Sequence, residues 1–154
     1  DDSPHRPALQ AYAQVQGSAG TDEQRRRRPR VGDWMSRRVQ RLRTGQTLVE
    51  ARALLATHHI EQAPVVDADD RLVGLLLQAD LVAAPLQGAV EGCMRSPVPA
   101  TAAETDLRQL SLALLNTGLP GMPVTGPLGE LVGFITRGDV LRAVATEPPL
   151  DLWG

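Results

Sequence analysis

Lysine is absent: all 16 basic residues of this 154-residue chain are arginine. That excludes Schiff-base chemistry and the lysine of a phosphate-binding P-loop. Cys93 is the single cysteine, so an intramolecular disulfide and a cysteine-based zinc knuckle are excluded, and a reducing, cytoplasmic setting is expected. Aromatic residues make up 3% against 42% hydrophobic residues overall, which requires an aliphatic core. No apolar run approaches the roughly 18 residues that span a bilayer. The length allows one compact domain or two small ones. The first residue is Asp1 rather than Met, so a processed chain with further domains beyond it is expected.

Charge is close to balanced, 16 basic against 18 acidic residues, but unevenly placed, because nine arginines and one acid, Asp33, lie between Arg25 and Arg43. Guanidinium groups present planar forks of donors that suit phosphates and acidic surfaces. No aromatics interleave with the run, and it follows Gly17, Ser18, Gly20 and Asp22, the pattern of a solvated linker more than of a nucleic-acid contact. Residues 1–30 read as an N-terminal helix, with Leu9, Tyr12 and Val15 at helical spacing, followed by this arginine-rich linker.

From Val31 onward the chain repeats itself. An ungapped offset of 59 residues carries Val31 onto Val90, Met35 onto Met94 and Val39 onto Val98, then Leu48 onto Leu107, Leu55 onto Leu114, Pro64 and Val65 onto Pro123 and Val124, and Leu72, Val73, Gly74 and Asp80 onto Leu131, Val132, Gly133 and Asp139. Shared composition explains matched leucines, but not a proline, a glycine and an aspartate in one register. The repeats are bounded as 31–86 and 87–146, with a tail at 147–154 ending in Trp153.

Each repeat reads as β-α-β-β-α. A strand at Val39–Leu42 or Val98–Thr101 leads to a helix bearing Leu48, Ala51 and Leu55, or Leu107, Leu110 and Leu114. Thr47 with Glu50, and Thr101 with Glu104, fit the capping box. A hairpin follows, with strands Ala63–Val66 and Leu72–Leu77, or Met122–Thr125 and Leu131–Thr136, joined by a polar turn. A closing helix then carries Asp80, Leu81 and Val82, or Asp139, Val140, Leu141 and Val144.

This duplicated pattern resembles the CBS domain, named for cystathionine beta-synthase. The residues that carry the resemblance are the Val-x-x-x-Met openings, the Pro-Val strand starts, and the Leu-Val-Gly strands ending in Asp80 or Asp139. The resemblance implies an α+β fold in which two repeats pack sheet to sheet with pseudo-twofold symmetry, a Bateman module, with pairs commonly dimerising. A repeat this short cannot bury a sheet and two helices alone, so each is expected to supply part of the other's core.

Gly133, Phe134, Ile135, Thr136, Arg137, Gly138 and Asp139 resemble the family's G-x-x-[ST]-x-x-D ribose-binding signature. A hydroxyl at a strand end and a carboxylate three residues later converge on one face; such a carboxylate suits a ribose diol, and the same spacing also suits a helix cap. By resemblance Asp139 takes the ribose hydroxyls and Thr136 contacts ribose or phosphate, while Val98, Ala100, Gly121 and Met122 map onto the adenine pocket. Ordinary core packing is the competing reading for Val98 and Met122. Arg137, and Arg37, Arg38, Arg41 or Arg43, are the candidate phosphate ligands. The first repeat departs from the signature, since Leu77 stands where the hydroxyl belongs although Asp80 is kept, so this second site is degenerate.

His58 and His59 are adjacent and read as a helix end, not as a zinc pair. Cys93, equivalent to Trp34, reads as a packing position. The resemblance therefore implies a non-catalytic regulatory module needing no cofactor. Its ligand would be an adenosine nucleotide (AMP, ADP or ATP) or S-adenosylmethionine, its partners a second copy and an effector protein, with no membrane span in this chain. Two alternatives are a ligand-free dimerisation scaffold and an arginine-rich nucleic-acid-binding regulator.

Overall fold

The computed structural model describes residues 28–146. The expected N-terminal helix, Arg25 to Arg27 and the tail at 147–154 lie outside the described residues. In chain order the elements are α1 (Val31–Trp34), β1 (Leu42–Arg43), α2 (Leu48–His58), β2 (Gln62–Val66), β3 (Leu72–Leu77), α3 (Gln78–Leu81), a 3-10 turn (Val90–Gly92), α4 (Leu107–Thr117), β4 (Gly121–Thr125), β5 (Leu131–Thr136) and α5 (Arg137–Thr146). The mixed α+β architecture agrees with the reading from sequence. None of the described helices is long and apolar enough to cross a membrane.

The first sheet has the order β1-β2-β3, with β1 parallel and β3 antiparallel to β2. In the second repeat β4 and β5 pair in the same antiparallel register, but the expected strand at Val98–Thr101 shrinks to one parallel bridge, Thr101 to Val124. Pro97 and Pro99 explain the loss, since neither has an N–H to give to a ladder. The expected strand at Val39–Leu42 likewise shortens to Leu42–Arg43, paired with Val65 and Val66, and Val39 turns into the apolar layer between the sheets.

Capping follows the sequence in one repeat and not in the other. Thr47 and Glu50 form the reciprocal box, with Glu50 N–H donating to Thr47 Oγ1 (3.1 Å) and Thr47 N–H to Glu50 Oε1 (3.0 Å). The backbone bond from Thr47 holds the Glu50 carboxyl below the usual carboxylate range, helped by the Gln46 amide and the Thr47 hydroxyl. Thr101 and Glu104 do not cap α4, because Thr101 is committed to the β4 bridge. Asp106 caps α4 instead, accepting from Arg108 N–H at 2.8 Å. His58 and His59 do end α2, with His59 in the left-handed region at φ 52°. The closing helices differ in length. α3 stops after one turn before Pro85, whose ring disfavours helical geometry at the preceding residue, and Arg52 donates to the carbonyls of Leu81, Ala84 and Pro85.

The two repeats exchange their openings. Val31, fully buried, and Met35 belong to the second repeat's core with Leu107, Leu110, Met122 and Ile135. Val90 sits in the first repeat's core with Leu42, Leu48, Val65 and Leu76, where Cys93 and Met94 pack against it. Backbone bonds repeat the exchange: Ser36 pairs with Phe134, and its equivalent Arg95 pairs with Leu75. Two glycines make room for the crossing methionines. A Cβ on Gly74 would fall 2.3 Å from Met94 Sδ, and one on Gly133 would fall 2.5 Å from Met35 Sδ. Trp34 and Cys93, equivalent in sequence, are both half-buried against the opposite repeat.

A third apolar layer, Leu75, Leu77, Val98, Leu119 and Phe134 with Val39 and Leu72, lies between the sheets. The hairpin turns also meet. Leu72 N–H donates to Gly129 O and Leu131 N–H to Asp70 O, both at 3.0 Å, and each bond is the other's image under the 59-residue offset. Asp70 and Gly129 both have positive φ, 62° and 82°. The sheet-to-sheet, pseudo-twofold arrangement expected from sequence follows from these contacts.

Candidate functional site

The second repeat ends β5 on Thr136 and starts α5 at once, which brings strand end and first helical turn together. Thr136 N–H and Oγ1–H both donate to Asp139 Oδ2, at 2.8 and 3.0 Å, and Asp139 N–H donates to Thr136 Oγ1 at 3.2 Å. Asp139 is 5% exposed, and its second oxygen, Oδ1, pairs with the Arg142 guanidinium one turn along α5. Convergence of Thr136 and Asp139 is thus observed, and capping is one of its roles. Arg142 was not singled out from sequence, although its i, i+3 spacing from Asp139 was the available signal.

The other residues named for this site do not fall in one place. Val98 is buried in the layer between the sheets, beside Leu119 and Phe134, and Ala100 is buried too. Met122 is fully buried in the core under α4, with Leu110 and Leu114, the packing role that competed with base contact in the sequence reading. Gly121 lies one residue earlier on the alternate face of β4, where a Cβ would meet Phe134 Cε1 at 2.7 Å and Gln62 Nε2 at 2.9 Å. Arg137 donates to Gly118 O at 3.2 Å, beside the loop that enters β4.

The arginines before and within β1 are mostly committed elsewhere. Arg41 grips Asp70 through both carboxylate oxygens (2.9 and 2.7 Å), and Arg43 reaches Asp67 O at 3.3 Å and Asp70 at 3.7 Å. Arg37 donates to Gly32 O at 3.5 Å, and Arg38 is exposed. Arg28 pairs with Asp106 at 3.7 Å while Pro29 O accepts from Leu107 N–H, so the described end of the arginine run is tied to the start of α4.

The first repeat is built differently at the matching place. Leu77 is buried in the layer between the sheets and caps nothing, and Asp80 is held by Arg95 through two bonds of 2.9 and 3.2 Å. Arg95 arrives with the second repeat's opening, so only the exchanged packing reveals the pair. Because α3 is short, a cavity of about 460 Å³ opens beside Asp80, lined also by Leu48, Ala84, Gly88 and Cys93. Burial, then the nearby Asp80 carboxylate, pushes the Cys93 thiol up, which suits packing and not nucleophilic attack. Among the described residues no group of three His, Cys, Asp or Glu side chains is placed to hold a metal ion.

Comparison with known proteins agrees with this architecture. The family model "CBS domain" matches twice, at residues 31–87 and 90–146. The chloroplastic CBS domain-containing protein CBSX1 of Arabidopsis thaliana is 29% identical over 148 residues, covering 73% of this chain and 63% of that protein. This chain therefore spans less than two thirds of that relative. Among solved structures, CBSX2 in complex with AMP superposes with a TM-score of 0.72 at 27% identity, over 76% of this chain and 96% of that one. The cytosolic domain of the Mg²⁺ channel MgtE in complex with ATP gives 0.69 at 27% identity, over 79% of this chain and 52% of that one.

Proposed function

From its place in the CBS domain family, to which the chain belongs through two tandem repeats, we propose that it is a regulatory module. In this reading it binds an adenosine nucleotide at the second repeat and passes occupancy to a partner. The observation that carries the reading is the Thr136–Asp139 pair at the start of α5, in a chain whose fold resembles CBSX2 in complex with AMP. Asp139 accepts the ribose hydroxyls once the exposed Arg142 swings aside, and the Thr136 hydroxyl and the Arg137 guanidinium face phosphate. Val98, Ala100 and Gly121 border the base. No catalytic step and no cofactor are assigned to the module. Occupancy acts through differential affinity for two arrangements of repeats or protomers.

The first repeat serves as scaffold in this reading, since Leu77 supplies no hydroxyl beside Asp80. The test is a melting series with AMP, ADP, ATP and S-adenosylmethionine. A ligand at a hundredfold excess over its Kd stabilises by about 2.7 kcal/mol, a shift of several degrees for a domain of this size. No shift with any of them would sink the reading in favour of a ligand-free scaffold.

Self-association belongs to the same proposal. Val82, which follows the last residue of α3, and Leu141 on α5 are equivalent under the repeat and are 85% and 68% exposed, an apolar pair suited to a second copy. Replacing both by glutamate is expected to convert dimer to monomer in sedimentation equilibrium while a cooperative melt is kept, at a temperature lowered by the lost association. An unchanged mass would remove these helices from any interface.

A further inference from the structure

Gln62 opens β2 and is 8% exposed. Its Oε1 is fully buried and accepts no hydrogen bond among the described residues. A buried acceptor without a donor is costly, and native structures seldom keep one without a reason. Its position is informative. Gln62 is the repeat equivalent of Gly121, and its amide reaches across the interface to that glycine: a Cβ on Gly121 would fall 2.9 Å from Gln62 Nε2. The cross-strand partner of Gly121 is Thr136. A side chain of the first repeat is therefore delivered to the strand pair that leads into Thr136 and Asp139, and only a glycine at 121 leaves room for it.

We propose that Gln62 completes the second-repeat nucleotide site from across the repeat interface, its Oε1 accepting a hydrogen bond from a ribose hydroxyl. The inference rests on the nucleotide reading above and adds to it a specificity-determining residue and a donor class. Oxygen acceptors cannot satisfy Oε1, so a phosphate oxygen does not fit it, whereas a hydroxyl does. The same contact couples the repeats, because ligand in the second repeat then touches a side chain carried by β2 of the first.

The experiment compares the affinities of AMP, 2′-deoxy-AMP and 3′-deoxy-AMP for the wild type and for Gln62→Met, which keeps the length of the side chain and removes the acceptor. Asp139 accepts from both ribose hydroxyls, so each deoxy analogue binds the wild type more weakly than AMP, and the analogue lacking the hydroxyl that Gln62 receives is expected to be disfavoured by about a further tenfold. In Gln62→Met that further preference should collapse to within about twofold through weaker AMP binding, while the apo melting temperature holds or rises. An undiminished preference in the variant overturns the proposal, whatever its melting temperature, because a purely structural role weakens all three ligands alike. Gln62→Asn, which withdraws the carboxamide by one methylene, makes the same prediction should Gln62→Met fail to fold. Failure of the wild type to bind AMP or either analogue is a different result, and it overturns the nucleotide reading together with this one.

Discussion

Asp139→Ala is expected to lower nucleotide affinity by about a hundredfold, while Asp80→Ala changes it by less than about twofold. A carboxylate that accepts from both hydroxyls of a ribose contributes through two charge-assisted bonds, each worth about 1.5 kcal/mol or more. Together that is about two decades in Kd. Asp139 is also the reciprocal partner of Thr136 and the anchor of Arg142, so the apo variant should lose about 1 kcal/mol from the cap as well. Asp80 has the same place in the repeat but is paired to Arg95, and Leu77 at the N-cap supplies no hydroxyl. Calorimetric titration of both variants separates the effects. Equal losses would mean that the repeats bind alike and that Leu77 is no obstacle.

Val31→Asp is expected to unfold the second repeat before the first, although Val31 begins the first. The side chain is fully buried among Leu107, Leu110, Met122 and Ile135, and the Val31 and Gly32 N–H groups donate to Thr105 O (2.9 Å) and Ala103 O (2.8 Å). An unpaired carboxylate there costs several kcal/mol, a large share of the 5–15 kcal/mol that holds a typical domain. Amide exchange should accelerate first in α4, β4 and β5 and later in α2 and β2. Val90→Asp should do the reverse, through the core of Leu42, Leu48 and Leu76. Earlier loss of protection in the repeat that carries the substitution would contradict the exchanged openings.

These two variants mark where the sequence was legible and where it was not. The long apolar strands Leu72–Leu77 and Leu131–Thr136 were readable to the residue, because an apolar run bounded by turn signals has few other solutions. The reciprocity of the cores was readable from the size of a repeat. Its identity was not: Val31 and Met35 bury the same surface against either repeat, and the offset alone cannot distinguish them. Gly74 under Met94 and Gly133 under Met35, with the Ser36–Phe134 and Arg95–Leu75 bridges, settle the crossing. The α4 cap was misassigned because Thr101–Glu104 matches the box in one dimension, whereas Thr101 is spent on β4 and Asp106 is free to cap. Thr136 and Asp139 were legible because their partnership is local. Arg95 with Asp80, and Gln62 with Gly121, join residues far apart in sequence and became visible only once the strands were placed.

The central claim is one adenosine nucleotide per chain, held at the second repeat, and the stoichiometry of an AMP titration by calorimetry tests it most directly. The expected isotherm has one site per chain and disappears into the baseline for Asp139→Ala. Two equivalent sites per chain, or no heat from AMP, ADP or ATP, would contradict it.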